Sequence, residues 1–505
     1  MRLWSTLPLL SQGLLAAAQT TITSRGNPIV ADGSYFTADP APLVVNNTVY
    51  ILTGRDTAPA GQNAFVMNEW QMLSSSDPRP SGAQWQFRPN IARPESIFSW
   101  AAAGTAFAAQ IVQGPDKRFY LYAPVTQRST SSPDRFAIGV AVSSNPWGPF
   151  TDAHSSGPII SQAVPSPGNN IQNIDPTVLV DDTGRVYLYW GTFGQLRGVE
   201  LATDMVNTIG AVTTVNGLTG FFEAPWLLQR RGTYYMLYAA NNAGPNSPCT
   251  PTSYHACLAY GTASSPLGPW TFRGVMLDIV SSTTSHPGAF ELNGQWHLVY
   301  HTRDAAGGGH FRRSIAIDYM TWDDTQSPPR INKVVQTRRA GPAAPATRNI
   351  APRAVAASVN QTPIQYWTKS INDGWIPGTP LPPDYWSSYD GNRSPRTSTL
   401  VLTWSSAVAL NGARMVFFAD QPAGSDVGVP PPASWRIEYL SGTGAWVAVS
   451  ASTAYPTAVT DDPAVVGFAR ISTTSIRAVL VASGGDGAFG GVGVKEWEAL
   501  APSPE

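Results

Sequence analysis

Charge is scarce in this chain: only 13% of its 505 residues are Asp, Glu, Lys or Arg, and 32 basic against 33 acidic side chains leave a net charge of −1. With no basic stripe to attract polyphosphate, nucleic acid and anionic membrane surfaces are disfavoured as partners. Cysteine is scarcer still. Cys249 and Cys257 are the only two, and they sit close together in a Pro- and Thr-rich loop. In an oxidising compartment such a pair reads as a disulfide clipping the loop, a structural role. Zinc is disfavoured, because two Cys with the single neighbouring His255 lack the paired spacing of zinc ligands. Long apolar runs are missing except at the start. Arg2 precedes an apolar stretch over residues 3–18, interrupted by Ser11, Gln12 and Gly13 and ending on Ala16-Ala17-Ala18 before Gln19. That is the layout of a secretion signal, too short to cross a bilayer comfortably. The expectation is a signal peptide at 1–18 and a soluble, secreted, extracellular mature chain, monomeric and with no membrane partner. Sequons at Asn46, Asn360 and Asn392 are compatible with glycosylation along a eukaryotic secretory route.

What the chain has is turn formers and aromatics: 45 Gly, 44 Pro, 17 Trp, 18 Tyr and 18 Phe. This is the make-up of a turn-dense, all-β protein. One pattern recurs five times, beginning at Asp39 (DPAPLVVNNTVYIL), Trp100 (WAAAGTAFAAQIVQGPDKRFYLYAP), Asp175 (DPTVLVDDTGRVYLYWG), Glu223 (EAPWLLQRRGTYYMLYAA) and His286 (HPGAFELNGQWHLVYHT). Each segment runs from a polar or aromatic head through small residues or Pro into an apolar strand, then a turn, then a Tyr-rich strand. A second phrase follows the hairpins, as in Ser75-Ser76-Asp77-Pro78, Ser143-Ser144-Asn145-Pro146 and Ser264-Ser265-Pro266. A period of about 60–70 residues suits blades of four strands. The pattern predicts a five-bladed β-propeller over residues 19–337, with the five heads converging on its axis.

Residues 338–353 (RRAGPAAPATRNIAPR) carry no strand periodicity and read as a linker. Beyond them, short alternating strands at 399–404, 414–418, 435–439, 446–449 and 475–481 predict a β-sandwich over 354–505. Ile371-Asn372-Asp373-Gly374, Leu402-Thr403-Trp404, the 434–439 strand and Glu496-Trp497 resemble galactose-binding-like jelly rolls. Many of those bind carbohydrate, whereas others only brace a neighbouring domain, and both roles stay open.

Three of the five heads, Asp39, Asp175 and Glu223, are carboxylates with Pro at the next position or the one after. Pro fixes the local backbone, which suits a residue held at a strand start near the axis. A lone Asp-Pro is commonly a turn; three acids at equivalent repeat positions are not explained that way. Crowding them raises at least one pKa. Glycoside hydrolysis needs such a division, with one carboxyl protonated to donate to the leaving oxygen and another ionised to activate water.

These residues carry a resemblance. ADPAP (38–42), IDPTVLVDD (174–182), EAPW (223–226), SSPLGPWTFRGV (264–275), the His286 hairpin and FRRSIAID (311–318) resemble glycoside hydrolase family 43 over about residues 27–324. The appended sandwich narrows the likeness to fungal arabinofuranosidases acting on arabinoxylan, including those that remove O3-linked arabinose from doubly substituted xylose. The resemblance implies Asp39 as general base, Glu223 as general acid, Asp175 as the acid that tunes and orients Glu223, and inversion at the anomeric carbon. It implies that Arg313 lies near base and substrate, with Arg312 as the neighbour that would replace it after a one-residue register error. Trp100 is either a pocket wall or a core residue, and Phe36 lines the pocket. His286 matches a family histidine that faces water or a bound calcium in the central channel, and a satisfied structural histidine is the alternative. No organic cofactor is implied; the partner is arabinoxylan or a related plant cell-wall polysaccharide. β-Xylosidase and endo-arabinanase are the rivals within the fold, with pocket depth set by loops 56–67 and 165–173. A non-catalytic sugar-binding propeller is the rival of another class.

Overall fold

A computed structural model describes residues 19–165, 170–241, 248–249, 256–281, 284–337, 347–460, 463–485 and 489–502. The expected signal peptide, residues 338–346 of the expected linker, His255 and residues 166–169 lie outside the described residues.

The first domain is a five-bladed propeller. Blade one comprises Ala38–Val45, Thr48–Asp56, Met67–Ser75 and Gln84–Ala92, with Thr20–Thr23 added at its outer edge. Blade two comprises Gln110–Gln113, Phe119–Thr126, Phe136–Ser143 and Thr151–Asp152, and blade three Thr177–Val180, Val186–Trp190, Arg197–Leu201 and Thr208–Thr214. Phe221–Arg230, Thr233–Asn241, Ala256–Ala263 and Thr271–Leu277 form blade four. The inner hairpins turn where the sequence places its turn formers. Asn46 and Asn47, both left-handed at φ 47° and 56°, close blade one in the manner of a type I′ hairpin.

Blade five has three strands, Gly288–Leu292, Gln295–Thr302 and Ser314–Met320. The chain's own start completes it. The Ile29 amide donates to the Ile315 carbonyl (2.9 Å), Asn27 exchanges side-chain bonds with the backbone of Ile317, and the Thr37 amide donates to the Arg313 carbonyl. This tie closes the ring, so the Asp39 strand is pinned against blade five. Between blades, large side chains interdigitate: Trp70, Leu121, Tyr235 and Leu298 share one cluster, and Tyr122, Ile138, Leu188 and Trp190 another. Truncating a fully buried tryptophan such as Trp70 or Trp190 costs roughly 3–5 kcal/mol.

The second domain is the jelly-roll β-sandwich. It is built from one folded-over sheet rather than from many short strands. The expected strands at 399–404 and 414–418 are one strand, Thr397–Phe418, of 22 residues. Its pairing with Ala464–Val481 shifts register between Thr403 and Val408, so a bulge rather than a turn absorbs the polar Ser405-Ser406 step. The first half pairs with Val355–Ser358 and the second with Gly493–Pro502, so the strand serves both layers. Trp386, Phe417, Trp435 and Trp497 fill the space between them. Residues 347–353 are folded into this domain: Thr347–Asn349 pairs with Gly493–Pro502, and Ile350 is buried in its core.

Candidate active site

The heads of blades one, three and four share an unusual backbone. Asp39 (φ 54°), Asp175 (φ 55°) and Ala224 (φ 57°) are left-handed, and each directly precedes a proline: Pro40, Pro176 and Pro225. Proline disfavours the right-handed helical conformation in the residue before it. A non-glycine residue held left-handed costs about 1–3 kcal/mol and persists only where its surroundings enforce it. Register shifts between Ala38 and Ala41 and between Glu223 and Trp226 mark bulges at the same places. Bulges re-aim side chains, and here they affect the carboxylates that open the inner strands.

Asp39 is the best-partnered of the three. Arg313 Nη1 donates to its Oδ1 at 2.7 Å, and the rest of that guanidinium is held by Asp56, with Nε to Oδ2 and Nη2 to Oδ1 both at 2.9 Å. Phe65 covers the guanidinium at 4.7 Å. His301 Nδ1 lies 3.1 Å from the Asp39 amide nitrogen, and His286 Nδ1 lies 3.7 Å from Oδ1. Burial pushes both histidines down to about 4, so near neutral pH the counter-charge to Asp39 comes from Arg313. Burial alone would raise the Asp39 pKa, but Arg313 and the two histidines outweigh it and hold the carboxyl well below its ordinary value. Asp39 is ionised.

Asp175 and Glu223 behave in the opposite sense. Burial, then the Glu223 charge, then the Asp39 charge push Asp175 well upward. The Ala224 amide donates to its Oδ2 at 3.1 Å. Burial also raises Glu223; the Thr192 hydroxyl, donating to Oε2 at 2.8 Å, opposes that rise, and Asp39 adds to it. The two acids titrate as a pair and retain a proton where Asp39 has none. Buried Asp39 and Asp175 and partly open Glu223 thus bring one ionised and one protonated function to the same channel.

Arg313, not Arg312, meets Asp39. Arg312 turns away to the carbonyls of Gly307 and Pro59. Trp100 stands ahead of the blade-two inner strand rather than opening it, half-buried against Phe98 and beside Gly139. Half-buried Phe36 lies beside Gly307 and accepts a bond from Gln71 at its carbonyl. Sequence reasoning missed Asp56, Thr192, His301 and Thr284, whose hydroxyl reaches both His301 and Glu223. Asp56 is the last residue of Thr48–Asp56 and His301 the last but one of Gln295–Thr302, so both lie near the ends of the second strands of their blades, which is the one signal the sequence offered. Among the described residues no group of three or more His, Cys, Asp or Glu is arranged to hold a metal. The Cys249–Cys257 disulfide is present, with Cα atoms 5.7 Å apart. Asn46 and Asn392 are exposed at turns, whereas half-buried Asn360 accepts a bond from the Thr399 amide.

A sequence profile described as glycosyl hydrolases family 43 matches residues 26–328. The arabinoxylan arabinofuranohydrolase of Bacillus subtilis is 29% identical over 369 residues, covering 63% of this chain and 67% of the relative. The β-D-galactofuranosidase xynD of Aspergillus niger is 28% identical over 324 residues (61% and 86%), and the xylosidase/arabinosidase of Bacteroides ovatus 28% over 335 residues (58% and 93%). A solved family 43 arabinoxylan arabinofuranohydrolase from Bacillus subtilis, in complex with cellotetraose, superposes with a TM-score of 0.51 at 20% identity, over 95% of this chain and 98% of that one. At that identity the likeness concerns the fold, and it extends over both domains.

Proposed function

This chain belongs to glycosyl hydrolases family 43, and from that premise we propose that it is a secreted, exo-acting α-L-arabinofuranosidase that removes arabinose side chains from arabinoxylan by inverting hydrolysis. Asp39 is the general base, Glu223 the general acid, and Asp175 orients Glu223 and keeps its proton in place. The observation that carries the reading is the split in protonation: Arg313 holds Asp39 ionised, while crowding and burial keep a proton on the Asp175–Glu223 pair. Asp39 takes a proton from a water whose oxygen attacks the anomeric carbon. The bond from that carbon to the xylose oxygen breaks, and Glu223 gives its proton to the departing oxygen. An inverting pair spaced roughly 6.5–9.5 Å apart leaves room for the water. The finer specificity, O3-linked arabinose on doubly substituted xylose, follows from the motif resemblance. The disulfide fits the oxidising compartment that secretion implies.

A β-xylosidase is the second reading, favoured by the relative named xylosidase/arabinosidase. Time-resolved proton NMR on cereal arabinoxylan separates the two. β-Arabinofuranose appearing first, with doubly substituted xylose signals fading before singly substituted ones, supports the proposal. Release of xylose would replace arabinofuranosidase by xylosidase, and α-arabinofuranose appearing first would replace inversion by retention.

A further inference from the structure

Phe193 is 65% exposed and its backbone is left-handed at φ 51°. A bulky residue in that conformation is strained, and such strain persists where the surroundings enforce it, as at ligand clamps. Its position is informative. The turn 191–195 is tied at one end by the Gly191 amide to the Ile174 carbonyl (2.9 Å), next to Asp175. It is tied at the other by the Gly194 amide to the Phe222 carbonyl (3.1 Å), next to Glu223. The turn is tight, since a Cβ at Gly191 would collide with the Gln195 carbonyl oxygen. Within it Thr192 bonds the Glu223 carboxyl at 2.8 Å, while Phe193 faces water, braced edge-on at 5.6 Å by the buried ring of Phe222.

Glu223 protonates the departing oxygen, so whatever borders Glu223 borders the leaving group. We propose that Phe193 is a stacking platform for a pyranose ring of the polysaccharide backbone, on the leaving-group side of the cleaved bond. The flat ring supplies an apolar face for the sugar's C–H groups, and the strained turn fixes that face relative to the Glu223 proton. This inference rests on Glu223 as the acid. It separates recognition of the backbone, by Phe193, from recognition of the arabinose, by the pocket around Asp39.

The test is calorimetric titration in a Glu223→Gln background, using arabinose-substituted xylo-oligosaccharides and free L-arabinose. Phe193→Ala should weaken oligosaccharide binding by about ten-fold and leave L-arabinose binding unchanged. Phe193→Trp should retain the affinity. Phe193→Gly should lose it as Ala does while raising the unfolding midpoint, because glycine accepts the left-handed turn without strain. Unchanged oligosaccharide affinity in both the Ala and Gly variants would overturn the proposal. So would an equal loss for oligosaccharide and arabinose, which would assign Phe193 a role through Thr192 and Glu223 alone. If the parent protein releases no arabinose but the selective binding loss appears, the functional reading fails and the platform stands.

Discussion

Among the described residues two arginines are buried, each gripped by two aspartates, and they do different work. In the propeller, Arg313 lies between Asp39 and Asp56 under the ring of Phe65. Where the domains meet, Arg303 follows the Gln295–Thr302 strand and binds Asp373 and Asp384 of the sandwich, 4.0 Å from the Trp375 ring. Each cluster has surplus acid nearby: Asp175 and Glu223 beside the first, Glu496 beside the second. The surplus at Arg313 opens on the channel. At Arg303 it is sealed, with Glu496 only 1% exposed and accepting from the Gly374 amide. Burial raises Asp373 to about 6 in spite of Arg303, whereas Arg313 and the histidines hold Asp39 far down. On the proposed function, the same residue types make a reactive centre where surplus acids open on the channel, and a fastening between domains where they meet only protein.

That contrast predicts different losses. Glu223→Gln and Asp39→Asn should each lower kcat by about 10²–10⁴-fold with the fold intact, measured by arabinose release and circular dichroism. Asp384→Asn should leave kcat within about three-fold; a loss as large as that of Asp39→Asn would erase the distinction. Arg303→Met strands two buried carboxylates and should destabilise by about 3–5 kcal/mol, read from denaturant unfolding. Stability close to the parent's would mean that the clamp holds nothing.

Subtler changes test the electrostatics. Thr192 stabilises the ionised form of Glu223, so Thr192→Val should raise the pair's pKa and move the alkaline limb of the kcat/KM profile upward by up to about one pH unit. A downward shift would reverse the assignment of the proton. The smallest effect concerns stability. Asp373 is raised in the folded state, so between about pH 4 and about 6 the native protein holds a proton that the unfolded chain has lost. Its contribution is complete below the unfolded value of 3.8 and fades as pH rises through about 6. Asp39 runs the other way: its contribution is present above 3.8 and is lost as pH falls through its lower native value. Thermal unfolding of Asp373→Asn should therefore lack part of the parent's loss of stability between pH 4 and 6, and an identical slope would refute the assignment.

The propeller was legible in the sequence because its unit is local. Head, proline, apolar strand, turn and tyrosine strand fall within about twenty residues, and the proline that keeps Asp39 and Asp175 out of the right-handed helical region is written in the order of residues. Trp100 misled as a head because it occupies the corresponding place before blade two while packing against Phe98. In the sandwich, the expected strand stopped at 404 because a bulge at Ser405-Ser406 interrupts alternation just as a turn would. Asp56, Thr192, His301 and the Arg303 clamp were hidden for another reason. Their partners lie between 31 residues away, for Thr192 and Glu223, and 262 away, for Asp39 and His301, and a single sequence does not print such pairings.

One carboxylate of this channel is charged while its two neighbours share a proton. Carbon-13 NMR titration of the side-chain carboxyls, comparing the parent with Asp39→Asn, Asp175→Asn and Glu223→Gln, measures it directly. The signal lost in Asp39→Asn should already be ionised below about pH 4, and the signals lost in the other two variants should titrate together and above the ordinary carboxylate range. An Asp39 signal titrating with or above the pair would contradict it.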